Sequence, residues 1–151
     1  RLWRHRLQLK PDQLLLHSGT MVEGLRDLRT KRYAGWPRKC IALSGIAHPA
    51  QFEASLARNC KVIQHFSYPD HHAFTPEEVQ EWCTAIAGDP ALEAVITTEK
   101  DAARLRSMSL PEDLKILVMG MQVKWWDEDA LRALLTSIDK RVDASAPVSD
   151  I

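Results

Sequence analysis

The sequence lacks the short motifs with which proteins most often hold the phosphates of a nucleotide. Neither a GxxxxGK[ST] phosphate loop nor a GxGxxG dinucleotide fingerprint occurs in its 151 residues. Gly19 and Gly45 lie in the segments that come nearest to such a loop, but the expected lysine follows neither of them. We therefore expect no cofactor-binding residues for a nucleoside triphosphate in this chain alone.

Closely spaced cysteine pairs, long apolar runs and an excess of one charge are also missing. The three cysteines, Cys40, Cys60 and Cys83, show no CxxC spacing, which argues against a disulfide framework or a zinc site, and we predict no metal site. No apolar run approaches the roughly 18 residues of a membrane-spanning helix. The 20 Lys and Arg residues balance the 20 Asp and Glu residues, which argues against a general nucleic-acid binder.

From residue 39 onward, short apolar segments alternate with helical patterns. The apolar segments predict strands near residues 40–44, 61–66, 94–97 and 115–119. Helices are predicted over residues 49–58, from a cap at Thr75 to Gly88, for about two turns after Thr98, and from Asp127 to about Lys140. This alternation predicts an α/β fold, a small three-layer α/β/α domain whose mostly parallel sheet has about four strands.

The ends of the chain differ from this central segment. We expect residues 1–38 to be an interdomain linker and connector that is β-hairpin-like. Residues 6–16 are predicted to form two short extended stretches, and residues 18–38 are polar and basic, with a short helix predicted near residues 21–29. Residues 39–140 form the predicted domain, and residues 141–151 are predicted to be a flexible tail. Because the sequence opens on Arg1 rather than Met, we expect it to be a segment of a longer chain.

Three polar loops follow predicted strands, over residues 44–48, 67–74 and 97–101. In parallel sheets, ligands bind where the loops leave the carboxyl ends of the strands. The sequence therefore places its candidate functional residues in these three loops.

The middle loop combines Asp70 with His71 and His72. A carboxylate beside an imidazole suits proton transfer near neutral pH, because Asp can orient a His and raise its basicity. Alternatively, Asp70 and one His only close the loop through hydrogen bonds. A metal-dependent phosphoesterase of the Asp-His-His type is a further alternative, although such enzymes require aspartates at other strand ends, which this chain lacks.

The third loop opens a predicted helix with Glu99 and Lys100. Lys100 and the backbone amides are candidate contacts for a phosphate or a substrate, with Glu99 beside them. The alternative is purely structural, since Thr98 and Asp101 form a capping pair and an acidic residue is favourable at a helix N-terminus.

Taken together, the three loops resemble the tetraacyldisaccharide 4'-kinase family. The segments that carry the resemblance are SGIAHP (residues 44–49) followed by Phe52, YPDHHAFT (residues 68–75) and TTEKDA (residues 97–102). Their order and spacing match the family's GI-x-x-P-x-x-F turn, its DHH loop and its TTEKDA loop. They span roughly residues 40–105, and the segment before them is similar to the family's two-stranded linker.

The resemblance implies that this chain is the C-terminal domain of a two-domain lipid A biosynthesis kinase of Gram-negative bacteria. The N-terminal P-loop domain, absent from this chain, would be its partner and would bind ATP and Mg²⁺. The implied reaction transfers the γ-phosphate of ATP to the 4'-hydroxyl of tetraacyldisaccharide 1-phosphate and gives lipid IVA. The implied location is peripheral, at the cytoplasmic face of the inner membrane.

The resemblance also implies a role for the DHH loop. In the family, an Asp of the N-terminal domain is the base that receives the hydroxyl proton, and the first His of the loop assists it. That His corresponds to His71, with Asp70 as its neighbour. This chain alone is expected to be inactive. A non-enzymatic α/β module that binds anionic lipid through the bases of residues 26–39 remains an alternative.

Overall fold

The computed structural model describes residues 6–10 and 13–145, with side chains up to residue 138. The chain divides into two compact units, one of residues 22–122 and the other of residues 1–21 and 123–151. All three predicted site loops lie in the larger unit.

The elements from residue 39 onward alternate as predicted. The strands are β1 (Ser18–Asp27), β2 (Tyr33–Ala34), β3 (Lys39–Ser44), β4 (Lys61–Ser67), β5 (Ala94–Thr98) and β6 (Ile116–Trp125). The helices are α1 (Pro49–Leu56), α2 (Pro76–Gly88), α3 (Glu99–Leu105) and α4 (Glu128–Ser145). The α/β class is confirmed, with six strands rather than about four. Helix α4 includes the first five residues of the predicted tail, and residues 146–151 lie outside the described residues.

The sheet has the order β2-β1-β6-β5-β3-β4. Strands β6, β5, β3 and β4 are parallel to their neighbours, as predicted, and β1 pairs antiparallel with β2. The N–H of Leu28, which follows β1, donates to the carbonyl of Ile116 at the start of β6 at 3.0 Å, so β1 and β6 also run in opposite directions. The carboxyl ends of β3, β4 and β5 therefore share one edge of the sheet.

The predicted helix near residues 21–29 is wrong, because this segment forms most of β1. Gly24 has a φ of +147°, a value that no α-helix contains and that glycine adopts without strain. Leu25 and Arg26 pair with Ala34 and Tyr33 of β2. These partners lie elsewhere in the chain, so tertiary pairing overrides a weak local helical pattern.

Two helices begin with the caps that the sequence predicts. At α2, the Thr75 hydroxyl accepts from the Glu78 N–H at 3.3 Å, and the Glu78 carboxylate accepts from the Thr75 N–H at 2.8 Å. Pro76 occupies the first helical position, where its missing N–H costs nothing. At α3, the Thr98 hydroxyl accepts from the Asp101 N–H at 3.2 Å. These caps fix where each helix leaves its loop.

Helices cover both faces of the sheet in the larger unit. One buried cluster joins Trp82 of α2 and Leu105 of α3 to one face, and another joins Phe52 and Leu56 of α1 to the opposite face. The three-layer α/β/α arrangement follows from these two clusters. Trp82 also lies directly under the DHH loop, since its ring packs against those of Tyr68 and Phe74 with centroids 6.5 and 5.5 Å away.

The smaller unit has its own anchoring contacts. The Asp127 carboxylate accepts from the His17 N–H at 2.7 Å, and this hydrogen bond is the main reason that the pKa of Asp127 is lowered. The Trp126 N–H donates to the His17 carbonyl at 3.0 Å. Within the described residues, no helix is long and apolar enough to cross a membrane.

The burial of Trp82 leads to a stability prediction. Trp82→Ala leaves a cavity beneath the DHH loop and lowers the free energy of unfolding by about 3–5 kcal/mol. Trp126→Ala is the matched control, because Trp126 is 61% exposed and its loss should cost much less. Urea unfolding of both variants is the measurement, and equal losses would contradict the buried role of Trp82.

Candidate active site

The three polar loops meet at the carboxyl edge of β3, β4 and β5. The Tyr68 N–H donates to the Ser44 carbonyl at 2.8 Å, and the His71 N–H approaches the Gly45 carbonyl at 3.3 Å. From the other side, the Gly45 N–H donates to the Asp101 carboxylate at 3.0 Å. The structure thus joins the three motifs through direct hydrogen bonds.

A fully buried carboxylate, that of Asp101, lies at the centre of this junction. Its Oδ2 accepts from the Gly45 N–H at 3.0 Å and from the Thr98 hydroxyl at 2.7 Å. Its Oδ1 accepts from Nη1 of Arg104 at 2.7 Å. Burial of a charged carboxylate is tolerated only with such partners, so Asp101 holds two loops and α3 together.

Arg104 carries the connection on to the DHH loop. Its Nη1 donates to the Gly45 carbonyl at 3.3 Å in addition to Asp101. Its Nη2 lies 3.3 Å from Nδ1 of His71. The guanidinium group therefore spans the buried carboxylate and the candidate catalytic imidazole.

His71 is presented to solvent by an unusual backbone conformation. Its φ of +63° lies in the left-handed region, which non-glycine residues adopt rarely and often at functional positions. The N–H of His71 donates to Oδ1 of Asp70 at 3.0 Å, and Oδ2 of Asp70 is 3.7 Å from Nε2. The side chain is 77% exposed, so an incoming group can reach the imidazole.

His72 has the opposite environment, although it is the next residue. Its ring stacks on that of Tyr68 with centroids 4.6 Å apart, and its Nε2 lies 2.8 Å from Oε1 of Glu78. The side chain of His72 is only 24% exposed. The Tyr68 hydroxyl accepts from the Trp82 indole at 3.1 Å, and burial raises its pKa. His72 therefore braces the loop against α2.

Glu99 and Lys100 occupy the first turn of α3, and both side chains are exposed. Arg104, one turn further along α3, connects this helix to His71. Their predicted contact with a phosphate or a substrate stays a prediction, as do the predicted catalytic roles of Asp70 and His71.

Comparison with known proteins identifies the family of this chain. The family model of LpxK, tetraacyldisaccharide-1-P 4'-kinase, matches residues 3–139. The chain belongs to this kinase family. The family resemblance carried by the three loops is thereby confirmed.

Individual relatives agree with the family model. A tetraacyldisaccharide 4'-kinase of Rhodopseudomonas palustris is 33% identical over 99 residues, which are 65% of this chain and 28% of the relative. The enzyme of the same name from Brucella anthropi is 32% identical over 121 residues, 78% of this chain and 34% of the relative. The chain thus spans about a third of the length of the curated relatives that it matches.

A solved member of the family has a similar fold. The LpxK of Aquifex aeolicus, crystallised as an "apo" form in complex with ATP, aligns with a TM-score of 0.55 and 23% identity. The alignment covers 87% of this chain and 40% of the Aquifex chain. At 23% identity, this structural similarity shows that the two chains share a fold.

The sequence reveals the local contacts of Asp101 and Arg104 but not their contacts with other loops. Asp101 is recognisable as the partner of the Thr98 cap, and Arg104 follows it at the helical spacing of three residues that favours an ion pair. Their contacts with Gly45 and His71 join residues at least 30 positions apart, and no local pattern indicates those contacts.

A second series of hydrogen-bonded side chains, Ser44–His65–Glu53, could not be recognised from the sequence. The Ser44 hydroxyl is 2.8 Å from Nε2 of His65, and Nδ1 of His65 is 2.9 Å from Oε2 of Glu53. These are the residue types of a nucleophilic triad, but Ser44 is fully buried and a substrate cannot reach it. These hydrogen bonds instead connect β3 and β4 to α1.

The metal-dependent phosphoesterase alternative requires several ligands around one point. Among the residues that the structure describes, no three His, Cys, Asp or Glu side chains are grouped so that they could hold a metal ion. Asp70 and His71 face each other, but His72 turns away toward Glu78. The geometry gives this alternative no support.

The crowding around Gly45 leads to a second prediction. A Cβ at this position would lie 3.2 Å from Oδ1 of Asp101 and 3.3 Å from the Pro69 carbonyl, and neither the buried carboxylate nor the backbone can easily move. Gly45→Ala should therefore lower the free energy of unfolding by about 1–3 kcal/mol.

The matched control is Gly35→Ala, because nothing lies within 4 Å of a Cβ there. Thermal unfolding of the two variants provides the comparison. A Gly45→Ala variant as stable as Gly35→Ala would show that the loops can separate without cost.

Proposed function

We propose that this chain is the C-terminal part of a lipid A biosynthesis kinase, which transfers the γ-phosphate of ATP to the 4'-hydroxyl of tetraacyldisaccharide 1-phosphate and gives lipid IVA. Family membership supports the reaction class, and the relatives bear the name of this activity. Because the chain spans about a third of those relatives, the proposal assigns it part of the active site and leaves nucleotide binding mainly to an N-terminal P-loop domain.

The observation that carries the proposal is the presentation of His71. Its imidazole is 77% exposed at the edge of the sheet where this fold class binds ligands. A buried carboxylate and an arginine hold the loop behind it. Such an arrangement supplies a polar group that is oriented before the substrate arrives, which is the main contribution of protein side chains to phosphoryl transfer.

In the proposed mechanism, ATP with Mg²⁺ supplies the phosphoryl group, and the N-terminal domain provides the base for the 4'-hydroxyl. His71 orients that hydroxyl and assists the proton transfer, while Asp70 fixes the backbone N–H of His71 at 3.0 Å. Lys100, exposed in the first turn of α3, contacts a phosphate, and Glu99 lies beside it. The substrate would be met at the cytoplasmic face of the inner membrane, with the enzyme bound peripherally.

Ion pairs within the chain argue against the alternative of a non-enzymatic module that binds lipid through a basic face. Arg26 pairs with Glu23 at 2.6 Å, Arg38 with Glu93 at 3.8 Å, and Lys39 with Asp89 at 3.3 Å. The guanidinium group of Arg29 donates to four backbone carbonyls, those of Leu110, Pro111, Glu112 and Leu114. Four of the six bases in residues 26–39 are therefore engaged within the chain.

The proposed division of labour predicts that this chain alone does not bind ATP tightly. Calorimetric titration of the 151-residue chain with ATP and Mg²⁺ should give no binding in the micromolar range, since the sequence has no phosphate loop. A circular dichroism melt of the same sample shows that the chain is folded. Micromolar affinity would mean that the nucleotide site is assigned to the wrong part of the kinase.

The roles of the two histidines predict different effects of their replacement in the complete kinase. His71→Ala should lower kcat by about 10²–10⁴-fold, the usual contribution of a group that assists proton transfer, with nearly unchanged thermal stability and ATP affinity. His72→Ala is the matched control. It should lower the melting temperature, because it removes the stack on Tyr68 and the bond to Glu78.

Steady-state kinetics and melting curves on both variants decide between the roles. Normal kcat in His71→Ala would remove His71 from the mechanism. Equal losses at both positions, explained by unfolding, would reduce the whole loop to a structural element.

A further inference from the structure

The position of Arg104 is determined by groups other than His71. Nη1 donates to the buried Asp101 carboxylate at 2.7 Å and to the Gly45 carbonyl at 3.3 Å. Because guanidinium is planar and rigid, these two contacts also fix the position of Nη2. The nitrogen that faces His71 is therefore set before any ligand arrives.

The contact between Arg104 and His71 determines which imidazole nitrogen carries the proton. A guanidinium nitrogen can only donate a hydrogen bond, so Nδ1 of His71, 3.3 Å from Nη2, must accept with its lone pair. In the neutral ring the proton then lies on Nε2. A doubly protonated ring would turn an N–H toward the guanidinium group and break this contact.

The other nitrogen of His71 faces an acceptor. Nε2 lies 3.7 Å from Oδ2 of Asp70, and Oδ1 of the same carboxylate is fixed by the His71 N–H at 3.0 Å. A proton on Nε2 is therefore favoured from both sides of the ring, by the donor at Nδ1 and by the carboxylate near Nε2.

We propose that Arg104 is a positioning residue that holds His71 as the Nε2–H tautomer, so that His71 acts on the substrate complex as a hydrogen-bond donor. This inference rests on the proposed function of His71 and makes it more specific. Nε2–H donates to an oxygen of the reacting groups, either the attacking hydroxyl or the phosphoryl group in transfer. The hydroxyl proton then goes to a base other than the imidazole of His71.

The tautomer can be measured directly on this chain. A long-range ¹H–¹⁵N correlation spectrum, recorded about two pH units above the ordinary histidine pKa of about 6.5, distinguishes imidazole rings protonated on Nδ1 from those protonated on Nε2. The His71→Ala variant identifies the His71 signals among those of the six histidines. We expect His71 to be present almost entirely as the Nε2–H form.

Replacement of Arg104 tests whether this residue is the cause. Arg104→Lys keeps a positive charge beside the buried Asp101 carboxylate but gives up the planar fork, so His71 should change to the mixture of tautomers of a free imidazole. The matched control is Arg106→Lys, the same substitution at an exposed position two residues away, which should leave the His71 signals unchanged. A predominantly Nδ1–H ring in the unsubstituted chain, or an unchanged ring in Arg104→Lys, would overturn the inference.

Kinetics of the complete kinase distinguish positioning from general stabilisation. If Arg104 acts through His71, Arg104→Lys should lower kcat by about 10–100-fold when His71 is present and should have little further effect in the His71→Ala background. An equal loss in both backgrounds would assign Arg104 to folding alone. Full activity of His71→Ala would instead defeat the proposed function of His71, and the tautomer spectrum would still test the role of Arg104.

Discussion

The buried carboxylate of Asp101 is the interaction on which the rest of the site depends. An unpartnered charge in this environment would cost several kcal/mol, so its hydrogen-bond donors must stay in place whenever the chain is folded. Those donors come from the loop after β3, from the end of β5 and from Arg104 in the second turn of α3. A single side chain thus requires two loops and a helix to converge, and Gly45 lies at the point of closest approach because a larger residue would crowd the carboxylate.

The fold was predictable where burial alone determines it. Strands β3 and β5 are covered on both faces, so they appear in the sequence as continuous apolar runs, and the helix between β4 and β5 begins with a complete capping box. Strand β1 was not predictable in the same way. It is only partly buried, it contains Gly24 in a conformation that no helix has, and its stability comes from pairing with β2 and β6, which local patterns do not reveal.

The site was predictable as a set of loops but not as a geometry. The strand ends and the polar motifs located Asp70, His71, Glu99 and Lys100 on one edge of the sheet, because parallel strands bring their carboxyl ends together. Asp101 was explained locally as a partner of the Thr98 cap, and that contact exists. Its second function, the attachment of Gly45 and Arg104, depends on tertiary proximity. The same limit applies to Arg104, whose contact with His71 spans 33 positions of the chain.

Two adjacent histidines acquire different properties because the backbone turns between them. The left-handed conformation of His71 directs its ring outward, between Arg104 and Asp70, while the ring of His72 lies on Tyr68 and reaches Glu78. Glu78 also caps α2, and Tyr68 contacts the buried Trp82, so His72 links the loop to a core cluster of the unit. A loop held in this way can present one imidazole nitrogen in a defined state without help from a ligand, which is the condition for an oriented polar group to contribute to catalysis.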